Sequence, residues 1–361
     1  MLSLLLILII IGVITEVISL LRNLNKIDFD YVVYPKLKEA GEPIIIQSII
    51  SNTGLLPISY FAVREIYPTL SSIPYDVKNH NRDDLKTHAK IDGIYVKFVN
   101  RIGGRQAKKF SFETSINKRG VYTFTAESLE VGDFLGLKDK IKDIRISKEV
   151  VIYPKRYECA DLNDTLSNIH GDIVSKRYLI RDPIITVGLR EYTGREPIKD
   201  IHWLQSAKKA ELMVREYDYN RQLSVNILLY VNPTQFDSSV YEKLDKNCAV
   251  ARTVCESFAS KNIPSLFFTN AYLTRKPEYE IWKCDVTAGN IDLLLEGLGR
   301  VINHARSSLE QLLNYVHRVS DLNSITIIIM DNRTADNTEI IDKFKHVTGR
   351  EIVLINEVGS V

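Results

Sequence analysis

The hydrophobic rhythm of this chain changes after Pro154, and that change limits the folds open to it. From Asp28 to Pro154 the apolar residues fall in short alternating runs: Tyr31–Tyr34, Pro43–Ile50, Tyr60–Ile66, Ile94–Val99, Lys108–Thr114, Val121–Glu127 and Val150–Tyr153. Strand side chains alternate between faces, so runs like these predict half-buried strands and, at this spacing, a β-sandwich. Asn52-Thr53-Gly54 and Gly103-Gly104 are turn signals between them. Lys78–Lys90 is polar and reads as an exposed loop.

The second rhythm begins at Val225. Apolar runs at Val225–Tyr230, Ser265–Thr269, Glu278–Lys283, Ser324–Met330 and Glu351–Ile355 read as strands. Helical spacing fills Tyr241–Lys261, Ile291–Val319 (with a break near Arg306-Ser307-Ser308) and Asp336–Val347. Strands alternating with helices predict a mainly parallel sheet covered on both faces. Lys155–Pro183 is mixed and polar and reads as a linker.

A third pattern lies at the N-terminus. Leu2–Ile14 is apolar apart from Ser3 and Gly12, and the run continues to Leu21 through Glu16. About 20 helical residues span the ~30 Å hydrocarbon core. No positive n-region precedes the run, while Arg22 and Lys26 follow it, so an uncleaved anchor with a cytoplasmic body is expected. The four cysteines (Cys159, Cys248, Cys255 and Cys284) form no CxxC pair and read as buried thiols in a reducing compartment. A formal net charge of +2 implies no general attraction to nucleic acid.

Chemistry-bearing residues concentrate between the two rhythms. Gly188 and Gly194 bracket Leu-Arg-Glu-Tyr-Thr, and Ile201-His202-Trp203 and Glu211–Glu216 follow. Ile201, Leu204 and Ala207 fall on one face of a short helix expected within Ile198–Ala210, and Leu212–Tyr217 reads as a strand able to pair with Leu223–Leu229. Three readings of this segment compete. Arg190, Glu191 and His202 would serve acid–base chemistry. Arg190 and Glu191 would instead form structural charge pairs, with Trp203 as an apolar anchor. Or Arg190, Glu191, Tyr192, His202, Trp203 and Arg215 would present a surface to a partner, Trp, Tyr and Arg being enriched in binding hot spots.

Gly188–Glu216 resembles the signature of the bacterial domain of unknown function 58 family, and Arg119-Gly120-Val121-Tyr122 and Val131–Leu137 resemble weaker motifs of it. This chain departs from the pattern at Arg195, where Asp is usual, at Lys199, at Leu204, and at Ala210, where Gly is usual. The resemblance implies a membrane-anchored protein with a von Willebrand factor type A-like domain and a MoxR-type AAA+ ATPase as partner. In that fold the first strand ends in Asp-x-Ser-x-Ser, which helps to bind a divalent metal. Here the stretch is Tyr230-Val231-Asn232-Pro233-Thr234, so Tyr230, Asn232 and Thr234 mark a degenerate site without the leading carboxylate that hard cations prefer. Asp331 would add one carboxylate alone.

The chain has no phosphate loop after a strand, no HExxH and no GxSxG. No cofactor is therefore expected. The expected fold class is α+β multidomain: a membrane helix over residues 1–22, a β-sandwich over 28–154, a linker and signature over 155–222, and an α/β, Rossmann-like von Willebrand factor type A-like domain over 223–361. The expected function is interaction or scaffolding rather than catalysis. A metal-dependent ligand-binding receptor and a hydrolase built on His202 and Glu191 are the alternatives.

Overall fold

A computed structural model of the chain describes residues 26–71, 88–90, 93–132, 139–177, 186–217, 224–232, 238–276, 278–321, 324–330 and 335–355, and nine residues between 7 and 17. The chain divides into two compact units. The first is Met1–Lys155 together with Leu295–Val301; the second is Arg156–Leu294 together with Ile302–Val361.

The first unit is built from nine described strands: β1 (Ile27–Tyr34), β2 (Leu37–Glu39), β3 (Pro43–Asn52), β4 (Ile58–Tyr67), β5 (His88–Lys90), β6 (Gly93–Ile102), β7 (Gln106–Ser115), β8 (Gly120–Gly132) and β9 (Asp139–Tyr153). They form a three-stranded sheet, β1-β3-β7, and a six-stranded sheet, β2-β9-β8-β4-β6-β5. Period-2 alternation sends Tyr31, Ile46, Phe61, Val63, Phe124 and Ile152 into one shared core. Two sheets closing on one core make the β-sandwich expected from the alternation. The strands run longer than the apolar runs; β9 begins at Asp139, because its first half, with a half-buried, charged pattern, is paired along β8. Gly120 takes φ 152°, and the Tyr122 hydroxyl donates to the Lys118 carbonyl at 3.0 Å, which closes the turn into β8. Residues 133–138 of the second turn motif lie outside the described residues, as does most of Lys78–Lys90.

Polar groups also enter this core. Glu65 is fully buried on β4 and accepts from Ser48 Oγ on β3 at 2.5 Å and from the Tyr67 hydroxyl at 2.7 Å. The Ser48 bond joins the two sheets through the middle of the sandwich. The buried Tyr31 hydroxyl has no hydrogen-bond partner among the described residues. Burial pushes the Glu65 carboxyl up to about 7, against the pull of its two hydrogen bonds.

In the second unit the first described element is a helix, α1 (Ala160–Arg177). This corrects the linker expectation for Lys155–Pro183. Leu162, Leu166, Ile169 and Ile173 recur at helical spacing and are all buried, a stripe that the surrounding Asn, Asp and Ser obscure. His170 lies on the same side. Its ring sits 4.6 Å from that of Phe258, and Nε2 is 3.0 Å from Ser257 Oγ. There follow β10 (Thr186–Glu191), α2 (Trp203–Lys209), β11 (Met213–Tyr217), β12 (Val225–Leu229), α3 (Ser238–Ser260), β13 (Ser265–Thr269), β14 (Ala271–Leu273), β15 (Trp282–Val286), α4 (Ile291–Arg300), β16 (Val301–Ala305), α5 (Leu309–Val319), β17 (Ile325–Ile329), α6 (Ala335–Thr348) and β18 (Ile352–Ile355), of which Leu295–Val301 falls in the first unit.

The main sheet has the order β15-β13-β12-β17-β18, parallel except for the antiparallel edge strand β15. Every residue of β12 and of β17 is buried, as a strand covered on both faces requires. Leu228, Phe268 and Ile328 pack against Leu312, Leu313 and Val316 of α5 and Phe344 of α6. Cys248 and Cys255 of α3 are both fully buried, and all four cysteines are free thiols. Arg350 is buried beneath the end of α5, where it donates to Ser320 Oγ at 2.7 Å and to the Ser320 carbonyl at 3.2 Å. That places a cation on carbonyls the helix leaves unpaired.

Two further expectations are corrected. The long helix over Ile291–Val319 is interrupted by strand β16, which pairs with β14. Val301–Ala305 alternates in burial, so a period-2 segment was hidden between two helices. The strand expected at Glu278–Lys283 is Trp282–Val286, where alternate Trp282, Cys284 and Val286 are buried. At the N-terminus the described residues among 7–17 are helical, and Ile9, Ile10, Ile11, Val13 and Ile14 are exposed. Among the described residues no helix is long and apolar enough to cross a membrane; the rest of residues 1–22 lies outside them.

Candidate functional site

The signature segment folds as a small layer of its own. β10 and β11 pair antiparallel, with Leu189 opposite Arg215, Arg190 opposite Val214 and Glu191 opposite Met213. This corrects the expected pairing of Leu212–Tyr217 with Leu223–Leu229: β11 is paired to β10, and β12 lies in the main sheet. Between them the chain makes a 3-10 turn at Ile198–Asp200, entered through Pro197. Ile201 then bridges to Val214, and the His202 N–H donates to the Met213 carbonyl at 2.8 Å.

Helix α2 follows at once. His202 is its N-cap: Nδ1 accepts from the Gln205 N–H at 3.3 Å. Ser206 is buried and accepts from the Met213 N–H at 2.8 Å, which ties the helix to β11. The helix ends at Ala210 in the left-handed region, φ 58°. That conformation costs a residue with a Cβ about 1–2 kcal/mol. Ala210→Gly is therefore expected to stabilise the second unit by up to about 1 kcal/mol after the added entropy of the unfolded chain, read as a raised urea midpoint.

The charge pairing differs from expectation. Arg190 pairs with Glu196, at 2.7 Å, and Glu191 is exposed. The Glu196 carboxylate also accepts from Thr193 Oγ1 at 2.8 Å and from the Thr193 N–H at 3.0 Å. The Thr193 hydroxyl first, and the Arg190 guanidinium after it, hold this carboxyl down to about 2. A carboxylate so stabilised is a poor proton acceptor at neutral pH. The sequence carries the signal for it, a Thr three residues before a Glu, the spacing at which hydroxyl and carboxylate close a turn reciprocally.

The apolar residues of this layer divide sharply. Met213, Val214 and Ile201 are buried. Trp203 is 62% exposed, Leu204 65% and Ile198 71%. Leu212 and Leu189 are also exposed, and Arg215 shares the Leu189 face across the ladder. Trp203, expected as an apolar anchor, is exposed, and of the expected helix face Ile201, Leu204 and Ala207 only Ile201 is buried. The inward contact of α2 is Ser206, because the helix docks through a backbone-to-hydroxyl bond rather than through an apolar stripe. Tyr192 is half-buried, with its N–H donating to the Leu212 carbonyl at 2.8 Å.

The second candidate is the carboxyl edge of the main sheet, where open α/β sheets place ligands. Tyr230 is buried, and burial pushes its phenol up, so it stays neutral. Beyond it, the Asn270 side chain binds both polar atoms of Val231: Oδ1 accepts from the Val231 N–H at 2.8 Å and Nδ2 donates to the Val231 carbonyl at 2.9 Å. Nδ2 also donates to the Ser307 carbonyl at 2.8 Å, just before α5. Asn232 is half-buried; Thr234 and Asp331 lie outside the described residues. Among the described residues no group of three His, Cys, Asp or Glu is placed to hold a metal ion. A neutral phenol is a poor ligand for a hard dication.

No family model matches the chain, and no curated protein matches it. Among solved structures, the CARDB domain of the PF1109 protein from Pyrococcus furiosus is similar at 11% identity and TM-score 0.22, covering 36% of this chain and 97% of that one. A cohesin module of a family 33 glycoside hydrolase from Clostridium perfringens covers 35% of this chain and 96% of its own, at 15% identity and TM-score 0.25. A non-cellulosomal cohesin from Archaeoglobus fulgidus gives 14% identity, 35% and 91% coverage, and TM-score 0.24.

Proposed function

We propose that this chain is a protein-interaction or scaffold protein and that its docking surface is the layer formed by β10, α2 and β11. The observation that carries the reading is the exposure of Trp203, Leu204 and Ile198 beside a framework whose own apolar residues are buried. Exposed apolar residues on this layer, with Lys208 and Lys209 in the last turn of α2 and Arg215 on β11, have the composition of a binding hot spot. The layer is held by backbone pairing, the Ser206 bonds and the Arg190–Glu196 pair, so the outward side chains are not needed to hold it together.

The resemblance of Gly188–Glu216 to the domain of unknown function 58 signature supports a MoxR-type AAA+ ATPase as the partner. It also supports reading the second unit as a degenerate von Willebrand factor type A-like domain. The apolar run of residues 2–21, with exposed isoleucines on its described helical residues, supports a membrane anchor.

The test is a binding measurement between the full chain and a purified MoxR-type ATPase, with wild type compared to the double variant Trp203→Ala, Leu204→Ala. Both side chains are exposed, so stability is expected to stay within about 0.5 kcal/mol. Affinity is expected to fall at least about tenfold, the loss of one hot-spot anchor. Unchanged affinity at matched folding would remove this surface from the interaction. No binding by wild type would remove the ATPase.

A further inference from the structure

A cleft of about 430 Å³ lies between helices α5 and α6 of the second unit. It is independent of the signature layer. One wall is the α5 face carrying Glu310, Leu313, Asn314 and His317; the other is the α6 face from Asp336 to Thr348. The lining residues of each helix recur at three and four positions, so each wall is a single helical face. At ~1.5 Å per residue the walls are about 10 and 18 Å long. Each helix leads into one of two parallel neighbours, β17 and β18, so the helices run in the same direction and their first turns share one end of the groove.

The floor is apolar. Leu313 and Phe344 are buried beneath it, Ile340 is half-buried, and Val347 is 78% exposed on its lip. The charge is polarised. Glu310 and Asp336 sit in the two first turns and Glu339 one turn after Asp336, whereas Lys343 is the single lysine of the lining, and His317 lies towards the far end. All three carboxylates belong to exposed residues.

We propose that this groove is a docking site for a cationic amphipathic helix of a partner protein. Two parallel helical walls with an apolar floor match the apolar stripe of a third helix, spaced i, i+3/i+4, i+7. The carboxylate end selects lysine or arginine flanking that stripe, and like-charge juxtaposition rejects an acidic helix. The same acidic rim disfavours an anionic membrane surface or nucleic acid. A second copy offering the same face would bring carboxylates against carboxylates.

The test uses the full chain and a labelled helix-forming peptide of about 18 residues with leucines at i, i+3/i+4 and i+7 and lysines beside them. Controls are the same composition with the leucines scrambled, and a peptide with glutamate for every lysine. Fluorescence anisotropy is expected to show saturable, salt-sensitive 1:1 binding of the lysine peptide alone. The pair Glu310→Lys, Glu339→Lys, both at exposed positions, is expected to weaken it at least about tenfold and to shift preference to the glutamate peptide. Val347→Asp is expected to weaken it as well. Equal binding of the scrambled peptide overturns the proposal. So does binding that the charge-reversed pair leaves unchanged. Absence of peptide binding, with self-association that Val347→Asp abolishes, overturns it in favour of a second copy. Absence of peptide binding with uptake of an uncharged apolar dye overturns it in favour of a small-molecule cleft.

Discussion

Raising the pH from 4.5 to 7.5 is expected to destabilise the β-sandwich unit by about 3 kcal/mol, and Glu65→Gln is expected to abolish that loss. Glu65 is fully buried, and its folded carboxyl is pushed up to about 7 from an ordinary value of 4.5. Burial is the larger cause, and the bonds from Ser48 and Tyr67 oppose it. Below about pH 4.5 the carboxyl is protonated in both states and the contribution is fully present. Between about 4.5 and 7 the folded state keeps its proton while the unfolded state releases it. Stability therefore falls by up to ~1.4 kcal/mol per pH unit, and the loss is complete above about 7. In Glu65→Gln no proton is gained or lost at this position, so the variant is expected to match wild type at pH 4.5 and to exceed it near pH 8.

The readout has to be specific to this unit. Both tryptophans, Trp203 and Trp282, lie in the second unit, so intrinsic fluorescence does not report on the sandwich. Hydrogen exchange at the β3 and β4 amides does. The second unit also carries an opposite slope. Burial, and then the nearby Lys261 charge, hold the His170 imidazole down to about 4, so its contribution is present above about 6.5 and is lost as the pH falls towards 4. A whole-chain curve would sum the two. Identical pH profiles for wild type and Glu65→Gln would show that the carboxyl is ionised throughout and solvated within the sandwich.

Glu65 also shows how far the sequence could be read. The strand was evident from Tyr60–Ile66, and its alternation puts Phe61, Val63, Glu65 and Tyr67 on one face. A charged residue in that series is legible as a core position only once the inward face is fixed, and Val63 and Ile66 offer apolar candidates for either face. The main sheet was legible for a simpler reason. Strands buried on both faces, such as Val225–Leu229 and Ile325–Ile329, are near-continuous apolar runs, broken only at Asn226 and Thr326. Helix α1 was hidden because six apolar residues in 18, four of them spaced for one buried face, leave a polar average. Strand β16 was hidden because its five residues continue an apolar pattern from the helix before it.

The candidate surface was legible in position and not in orientation. Arg190, Glu191, Tyr192, His202, Trp203 and Arg215 do come together in one antiparallel layer with its capping helix. Composition could not tell which of the apolar residues is framework. Trp203, the largest, is outside, and Met213 and Val214, which an exposed edge would accept equally well, are inside. The deciding interaction is the bond from the Met213 N–H to the Ser206 hydroxyl, a backbone-to-side-chain pairing seven residues apart with no periodic signature.

At the edge of the main sheet, Asn270→Ala is expected to cost the second unit about 4 kcal/mol. The side chain is fully buried and makes three hydrogen bonds, two to Val231 and one to the Ser307 carbonyl. Alanine leaves one N–H and two carbonyls without these partners, each worth about 1–3 kcal/mol when buried, and adds a small cavity. Asn270→Asp separates this account from a packing effect. It keeps the shape and the acceptor for the Val231 N–H, but sets a carboxylate oxygen against two carbonyls. Its loss is expected to be of similar size at neutral pH and to shrink as acid protonates the new group and restores one donor. Urea unfolding followed through Trp282, which is buried against Phe267 at 5.8 Å between ring centres, reads both variants. A loss below about 1 kcal/mol in alanine would mean that water replaces the amide there. The bridge holds Val231, just after β12 at the edge where a sheet of this kind presents its ligand groups, through a neutral side chain that follows β13. On the docking readings we propose, recognition falls to the exposed Trp203 surface and the α5–α6 groove rather than to this clamped position.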